Sequence, residues 1–494
     1  MEKTEHIPLF FRNKKLLVLL LALLTFSVYA NAIQGTFVWD DQTLVVQNES
    51  IKSFENIPYI FANEFVEKAG YGGNIYRPLQ EFSYMVDYFL WGFESVGFHI
   101  TSIALHIACV VALFCLILRI SGSNIVAFIT AGFFGVHPIN TEAISYISGR
   151  SDPLFFLFLV LAFLFYIKSR EKKEIKGTVY YLFALLYYAL SLLSRETALV
   201  FPFLLIAYEV LIRKDKKINW QKILPFFALL GLYAVLRLNF IELNRSVLGF
   251  IPPNIVIFTG VKIVFEYVKM LVFPFNLHMS RTMPISSGID ESVILAAIIV
   301  IPLLVLCFRL KNRRRDMFFW SMWFIIFLLP HLNVLRLNAL YAEHWIYGAS
   351  VGIYAIFACF LKDMMQKEKI RNASYICLAV AILYFSSLTI TRNFDWKDEP
   401  SIYSNTLRYT LSPKVLSNLG VYYEINKQYD KSIKVYKKAL EISPNETWYH
   451  NNISVVYFKN GDRKNAIYHI KKSLSINPNQ PKMREMLAGI QMRT

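Results

Sequence analysis

Two carboxylates stand side by side at Asp40 and Asp41, in the stretch Phe37-Val38-Trp39-Asp40-Asp41, just after an apolar run from Leu16 to Ile33. Adjacent acids repel, so one is expected to hold its proton more tightly than usual unless a cation lies near. A partly desolvated carboxylate can accept a hydroxyl proton while the oxygen attacks an electrophile. The sequence offers cations for the other half of such a reaction. Arg77 stands in Tyr76-Arg77-Pro78-Leu79. A second polar cluster reads His137-Pro138-Ile139-Asn140-Thr141-Glu142, then Ser148-Gly149-Arg150-Ser151-Asp152. Ser194-Arg195-Glu196 and Ala342-Glu343-His344-Trp345 lie at further turns between apolar runs. Guanidinium forks match phosphate oxygens, so Arg150 or Arg77 could hold a phosphate, with His137 and Arg195 as further cations. Plainer readings compete. The double Asp could mark a helix running into a hydrated loop. Arg150 could tie Asp152 or Glu142, Arg195 and Glu196 could be a simple hairpin or a helix tie, and a lone His at the end of an apolar run is more often structural.

Such groups must be held by the apolar runs around them. The chain has 494 residues, 55% hydrophobic and 16% aromatic, with mean hydropathy +0.40. Repeated apolar runs of this kind read as membrane-spanning helices. Eleven are expected, near 16–33, 99–118, 125–138, 152–167, 179–193, 197–212, 223–239, 291–308, 318–335, 345–361 and 373–390. Basic residues cluster before the first run and after the fourth, sixth, eighth and tenth, as at Lys14, Arg170, Arg213, Arg313 and Lys369. An odd count places all of them on one side, which the positive-inside rule makes the cytoplasm. The N-terminus is then inside, the C-terminal part outside, and the first run is a retained helix. The net charge of +17 is read as facing membrane lipid head groups, not nucleic acid. The five cysteines all lie in apolar runs and are expected as buried thiols. No Walker loop, dinucleotide fingerprint, zinc-spaced Cys/His set or HExxH occurs, which argues against an energy-coupled pump.

Two outer loops follow from this topology, 34–98 and 240–290. In the second, Lys262, Glu266 and Lys269 interrupt an apolar stretch from Ile255 to Phe275 at helical spacing, which predicts an amphipathic helix on the membrane surface. Beyond residue 391, a linker over 392–411 leads to a repeat of period 34. Asn418-Leu419-Gly420 and Tyr423 align with Asn452-Ile453-Ser454 and Tyr457, and Ala439-Leu440 and Pro444 with Ser473-Leu474 and Pro478. Period and residue types match the tetratricopeptide helix pair over 412–494. Such repeats cannot bury their faces singly, so they are expected to pack on the outer loops or on a partner.

Taken in order, these motifs resemble the TMTC family, transmembrane proteins with tetratricopeptide repeats, similar to protein O-mannosyltransferases among the GT-C glycosyltransferases. The resemblance rests on Trp-Asp-Asp after the first span, Tyr-Arg-Pro-Leu, His-Pro-x-x-Thr-Glu-Ala with Gly-Arg-x-Asp, the Arg-Glu turn, Ala-Glu-His-Trp and Arg-Asn-x-x-Trp. Arg195 stands where the family often has Lys, His344 where Arg is common, and the repeat array is short. The resemblance implies an all-α, polytopic GT-C membrane domain over 1–391. It implies transfer of a sugar, mannose foremost, from a polyprenyl-phosphate donor to a hydroxyl, with inversion, on the outer face. The acceptor would be a protein Ser/Thr or a glycan, reached through the repeats. It makes Asp40 the base, with Asp41 beside it. Arg77, His137, Glu142, Arg150 and Asp152 would shape the donor pocket, joined by Arg195, Glu196 and Glu343. Such enzymes often work without a metal, but a divalent cation could be held if Asp40, Asp41, Glu142 and Asp152 converge. The alternatives are a transferase acting on a lipid or glycan, and a non-catalytic membrane scaffold presenting repeats. A bacterial plasma membrane is expected, with the endoplasmic reticulum the site in a eukaryote.

Overall fold

The first apolar run shows how the membrane part is built. Its helix, Lys14–Tyr29, starts where the Asn13 side chain accepts from the Leu16 N–H at 3.1 Å, filling one of the amide groups that a helix start leaves open. Leu17, Leu21, Thr25 and Val28 follow at helical spacing and are buried, while Leu19, Leu23 and Phe26 point outward. Outward leucines cost nothing when the solvent is hydrocarbon, and a helix satisfies all its backbone groups internally.

The computed structural model describes residues 9–63, 75–172, 174–213, 218–240, 251–332 and 339–492; Lys173, Lys214, Lys216 and Lys217 of the basic loops lie outside them. Among the described residues there are helices and no strands. The protein is all-α, and among the described residues seven helical segments are long and apolar enough to cross a membrane: 14–34, 95–121, 147–171, 174–194, 220–238, 291–313 and 368–395. The other four expected spans are shorter helices, Asn124–Val136, Phe201–Leu211, Arg315–Leu328 and Ser350–Met365. The segment read as amphipathic is a helix, Pro253–Val272. Its Lys262 turns inward and donates to Pro284 O and Ser286 Oγ at 2.8 and 2.9 Å. Loop one folds into short helical turns and the helix Pro78–Trp91, which Pro78 opens because its missing N–H is not needed there. All five cysteines are free, but Cys115 and Cys377 are exposed where buried thiols were expected. Both sit on outward helix faces, where an apolar solvent accepts a thiol.

The helix Ser151–Glu171 is central: 72% of its most apolar window is buried, against 17% for Glu291–Arg313 at the periphery. The first and last helices of the membrane unit are laced together. Asn31 donates to Ile390 O at 2.8 Å, Asn393 donates to Val28 O and Asn31 Oδ1 at 2.9 and 2.7 Å, and the Thr36 N–H donates to Lys397 O at 2.9 Å.

The chain divides into two units, residues 1–277 with 282–397, and residues 278–281 with 398–494. Much of the stretch 392–411 is helical, in the end of Glu368–Asp395 and in Glu399–Tyr409. The second unit continues as helix pairs: Pro413–Ile425 with Tyr429–Ile442, Thr447–Lys459 with Arg463–Ile476, then Pro481–Gln491 alone. At the first pair's crossing a Cβ on Gly420 would lie 2.6 Å from the Tyr436 ring, so only glycine fits against that tyrosine. One period later the same positions are Ser454 and Ile470, both buried. A larger residue on one helix is met by a smaller one on the other.

Candidate functional site

The segment from His137 to Asp152 is where the polar groups meet the fold. It leaves the helix Asn124–Val136, makes three short helical turns, and enters Ser151–Glu171. All of it is buried, so each polar group needs a partner. Gly149 permits the tightest point: a Cβ there would lie 2.4 Å from Glu142 O and 3.0 Å from Ala143 Cα. Those are backbone atoms that cannot step aside.

Consecutive residues of this segment then grip different elements. Ser148 holds the double Asp: its N–H and its Oγ donate to Asp41 Oδ1 at 2.8 and 2.5 Å, while Val38 N–H donates to Asp41 Oδ2 at 3.0 Å. Asp41 is fully buried and Asp40 is exposed. Burial pushes the Asp41 carboxyl up to about 7, with the Asp40 charge adding to the rise and the three donors opposing it. Trp39, just before the two acids, takes φ +51°, a conformation costly for a bulky residue. The Trp39 ring stacks on Tyr146 (5.6 Å, 20°) and Tyr146 on Trp396 (5.2 Å, 23°), with Arg392 over the outer face of the stack at 5.7 Å.

Ser151 and Asp152 hold two cations. Arg77 is bidentate on Glu196, through Nη2 to Oε1 at 2.8 Å and Nε to Oε2 at 3.2 Å. Its Nη1 reaches Ser151 Oγ at 3.5 Å. Arg195 Nη1 donates to the same Ser151 Oγ at 3.0 Å and to Asp152 Oδ2 at 2.5 Å. Two guanidinium groups thus share one hydroxyl, each backed by its own carboxylate. Burial works against charge on Glu196, but Arg77 and Arg237 outweigh it and hold its carboxyl well below the usual range. Arg77 and Glu196 keep 16% and 32% of their side chains exposed, against 4% and 2% for Arg195 and Asp152. The pair therefore has an open edge and a closed one.

Glu142 completes this side. It accepts from the His344 N–H at 3.0 Å and meets His344 Nδ1 at 2.8 Å. Burial would raise its carboxyl, but His344 and Arg392 bring it below the ordinary value. Arg195 lies within electrostatic range of Glu142. Glu343 is buried and accepts from Arg392 Nη2 at 3.4 Å, and Arg392 also pairs with Asp395 at 2.8 Å.

Two expected pocket residues are placed elsewhere. His137 is enclosed: Nε2 donates to Leu271 O at 3.0 Å, Nδ1 accepts from the Ile139 N–H at 3.2 Å, and the ring packs on Phe385. Both ring nitrogens serve the backbone, so it caps a helix end. Arg150 has no exposed surface. Its Nη1 meets Asp87 Oδ2 at 2.5 Å, Nη2 donates to Phe98 O at 2.8 Å, Nε donates to Ser102 Oγ at 3.3 Å, and the guanidinium lies 4.8 Å from the Tyr84 ring. It fixes loop one's helix to the bundle and lines no opening. Of the four carboxylates offered for a divalent cation, three turn to separate partners: Asp41 to Ser148, Glu142 to His344, and Asp152 to Arg195. Among the described residues, no group of three or more His, Cys, Asp or Glu could hold a metal ion. The residues alone did not bring Ser148, Ser151, Tyr146, Arg237 and Arg392 into the site. Ser148, Ser151 and Arg392 stood inside quoted motifs; Tyr146 and Arg237 gave no local signal.

The chain is similar to several known proteins. Family models for the TPR repeat and the tetratricopeptide repeat match residues 420–461 and 449–480. A protein O-mannosyl-transferase of Caenorhabditis elegans is 25% identical, over 84% of this chain and 62% of that one. Human protein O-mannosyl-transferase TMTC3 is 24% identical, over 90% of this chain and 53% of the relative. Human TMTC1 is 35% identical over a shorter reach, 30% of this chain and 18% of its own length. The chain thus spans little more than half the length of the relatives it matches most broadly. Among solved structures it is similar to ArnT from Cupriavidus metallidurans bound to undecaprenyl phosphate, with TM-score 0.45 and 11% identity, over 93% of this chain and 75% of that one.

Proposed function

We propose that this chain, an integral membrane protein similar over most of its length to protein O-mannosyl-transferases, moves a sugar from a polyprenyl-phosphate donor to a hydroxyl acceptor. Asp40 takes the acceptor proton. The acceptor oxygen bonds to the anomeric carbon from the face opposite the phosphate, and the bond from that carbon to the phosphate oxygen breaks. The electron pair leaves on the phosphate, and the sugar inverts. Asp41 is a positioning residue. It anchors the turn and lets Asp40 face outward.

Arg77 and Arg195 receive the phosphate in this reading. Glu196 and Asp152 keep both guanidinium groups oriented before the donor arrives, and the partly exposed Arg77–Glu196 pair opens to admit an anion. Glu142 with His344, and Glu343 with Arg392, fix the surrounding wall. The sugar is mannose by likeness to the relatives, the acceptor a protein hydroxyl, and the reacting face the one opposite the basic loops.

The observation that carries the proposal is the Ser148–Asp152 turn. One end holds Asp41, next to Asp40, and the other holds two cations around one hydroxyl, which supports a reading with a base and a phosphate clamp on the two sides of one turn. The test is transfer from polyprenyl-phosphate mannose to serine and threonine peptides in liposomes, with donor affinity measured separately. Asp40→Asn keeps size and polarity, and should lower the rate by about 10²–10⁴ while leaving donor affinity unchanged. Full turnover by Asp40→Asn removes it from the base role. Transfer to lipid or glycan but not to peptide reassigns the acceptor, and no transfer from any donor leaves the scaffold reading.

A further inference from the structure

The helix Ser151–Glu171 carries the candidate site at its first residues and a second charged cluster at its last. There Glu209 is buried, and Tyr166 Oη, Arg170 Nε and Arg213 Nη1 converge on its Oε1 at 2.8, 3.1 and 3.5 Å. Lys222, near the start of Trp220–Phe240, stands within electrostatic range of Arg170, Arg213 and Glu209. Its Nζ donates to Ser169 O at 3.3 Å and lies 5.7 Å from the Tyr181 ring centre. Three cations from three helix ends therefore surround one carboxylate. The exposures differ in a telling way: the Glu209 side chain is 1% exposed, Arg170 13% and Arg213 20%. The acid is shut in, while the cations reach outward. In the sequence, residues 168–176 and 213–222 together hold ten Lys or Arg against three Asp or Glu. Positive charge gathered at the edge of a membrane in this way calls for an anion.

An apolar groove of about 460 Å³ supplies the second observation. It runs between the helices Glu174–Ser194 and Trp220–Phe240, where Leu185, Ala189, Pro225, Ala228, Leu229 and Leu232 line it. These same helices carry Tyr181 and Lys222. Leu185 lies one helical turn beyond Tyr181, and Pro225 three residues beyond Lys222, so the groove begins about one helical turn from Lys222. Pro225 and two alanines leave space where larger side chains would close it.

We propose that this cleft binds a phospholipid with an anionic headgroup, its phosphate among Arg170, Arg213 and Lys222 and one acyl chain in the groove. The headgroup lies in the leaflet opposite the candidate site, on the cytoplasmic side if the basic loops face inward. The groove alone would suit any alkyl chain. The cations at its mouth select one with an anionic phosphate group.

The test uses the full chain, purified and returned to phosphatidylcholine nanodiscs, with retention of added dioleoyl phosphatidylglycerol read by native mass spectrometry and its stabilising effect by melting temperature. Phosphatidylglycerol should be retained and should raise the melting temperature, and further phosphatidylcholine should not. Arg213→Gln and Lys222→Gln leave the Arg170–Glu209 pair in place, and each should weaken retention about fivefold, as expected for one basic residue at an anionic headgroup. Leu229→Trp should fill the groove and weaken retention with every charge intact. Melting curves in phosphatidylcholine alone report whether each variant folds. Equal retention of the two lipids, or undiminished retention by the Arg213→Gln and Lys222→Gln double variant, overturns the headgroup assignment. Equal protection by chain-free glycerophosphoglycerol, or undiminished retention in Leu229→Trp, overturns the groove. Displacement of the lipid by a polyprenyl phosphate that is indifferent to Lys222→Gln gives the groove to the donor's tail and overturns the proposal.

Discussion

Ser148 gives both of its donors, backbone N–H and hydroxyl, to a single oxygen of Asp41, 107 residues earlier in the chain. These two hydrogen bonds from one serine to one acid seat loop one on the bundle. They hold Asp41 inside, while its neighbour Asp40 is exposed.

Asp41→Asn should therefore act on stability before chemistry. The amide nitrogen would face either Val38 N–H or the Ser148 donors, a buried mismatch costing about 1–3 kcal/mol. The loss should depend on pH. The folded value of about 7 lies above the unfolded 3.8, so the folded protein keeps a proton that the unfolded chain has lost between those values. That stabilisation is complete below 3.8 and disappears as pH rises through about 7. Asparagine does not titrate. The wild-type advantage in melting temperature should be larger at about pH 5 than at about pH 8, and a pH-independent difference would contradict the assignment.

Arg150→Ala and Arg77→Ala should fail differently. Removing Arg150 leaves Asp87 buried with Thr101 at 2.7 Å as its remaining hydrogen-bond donor, and stranding a buried charge costs about 3–5 kcal/mol. Its melting temperature should fall steeply, with donor affinity normal in whatever folds. Arg77→Ala touches a half-open pair and should spare stability while weakening donor binding about tenfold or more, the worth of a hydrogen bond to a charged group. Melting curves and donor titrations on both variants separate the two roles. Equal donor loss in both would return Arg150 to the pocket.

Gly149→Ala adds one methyl group where the Glu142 carbonyl already stands. The expected cost is about 1–3 kcal/mol, typical of overpacking, and the displaced turn should carry Ser148 and Ser151 with it. Transfer rate should fall more than stability alone explains. A fully active, fully stable Gly149→Ala would mean that the turn has slack.

The orientation can be tested without an assay of activity. With the basic loops inside, a protease added to spheroplasts should cut the repeats and spare an N-terminal tag. Protected repeats with a cut tag would reverse the assignment and move the acid pair to the other face.

Much of the helical plan was legible because apolar length and charged loops report it directly, and the repeats because their period is strict. The site was legible only by residue type. Asp40 and Asp41 could be named, but which was buried hung on the contact of Asp41 with Ser148, 107 residues on, which no spacing encodes. His137 misled because a polar residue at the end of an apolar run looks the same whether it faces a ligand or caps a backbone. Arg150 misled for a different reason. Its partner Asp87 lies 63 residues away in an aromatic helix, and such a pair is visible only once the chain is folded.

The lacing of the first helix to the last sets an order in time. The tryptophan before the candidate base leans, through Tyr146, on Trp396, and Thr36 is held by Lys397. Residues made near the start of synthesis are thus braced by residues made after all the membrane helices. A ribosome that has delivered the acid pair has not yet delivered its backstop. Through nearly the whole of insertion the loop that bears Asp40 and Asp41 lacks these contacts, and they form only when the chain reaches the threshold of the repeats.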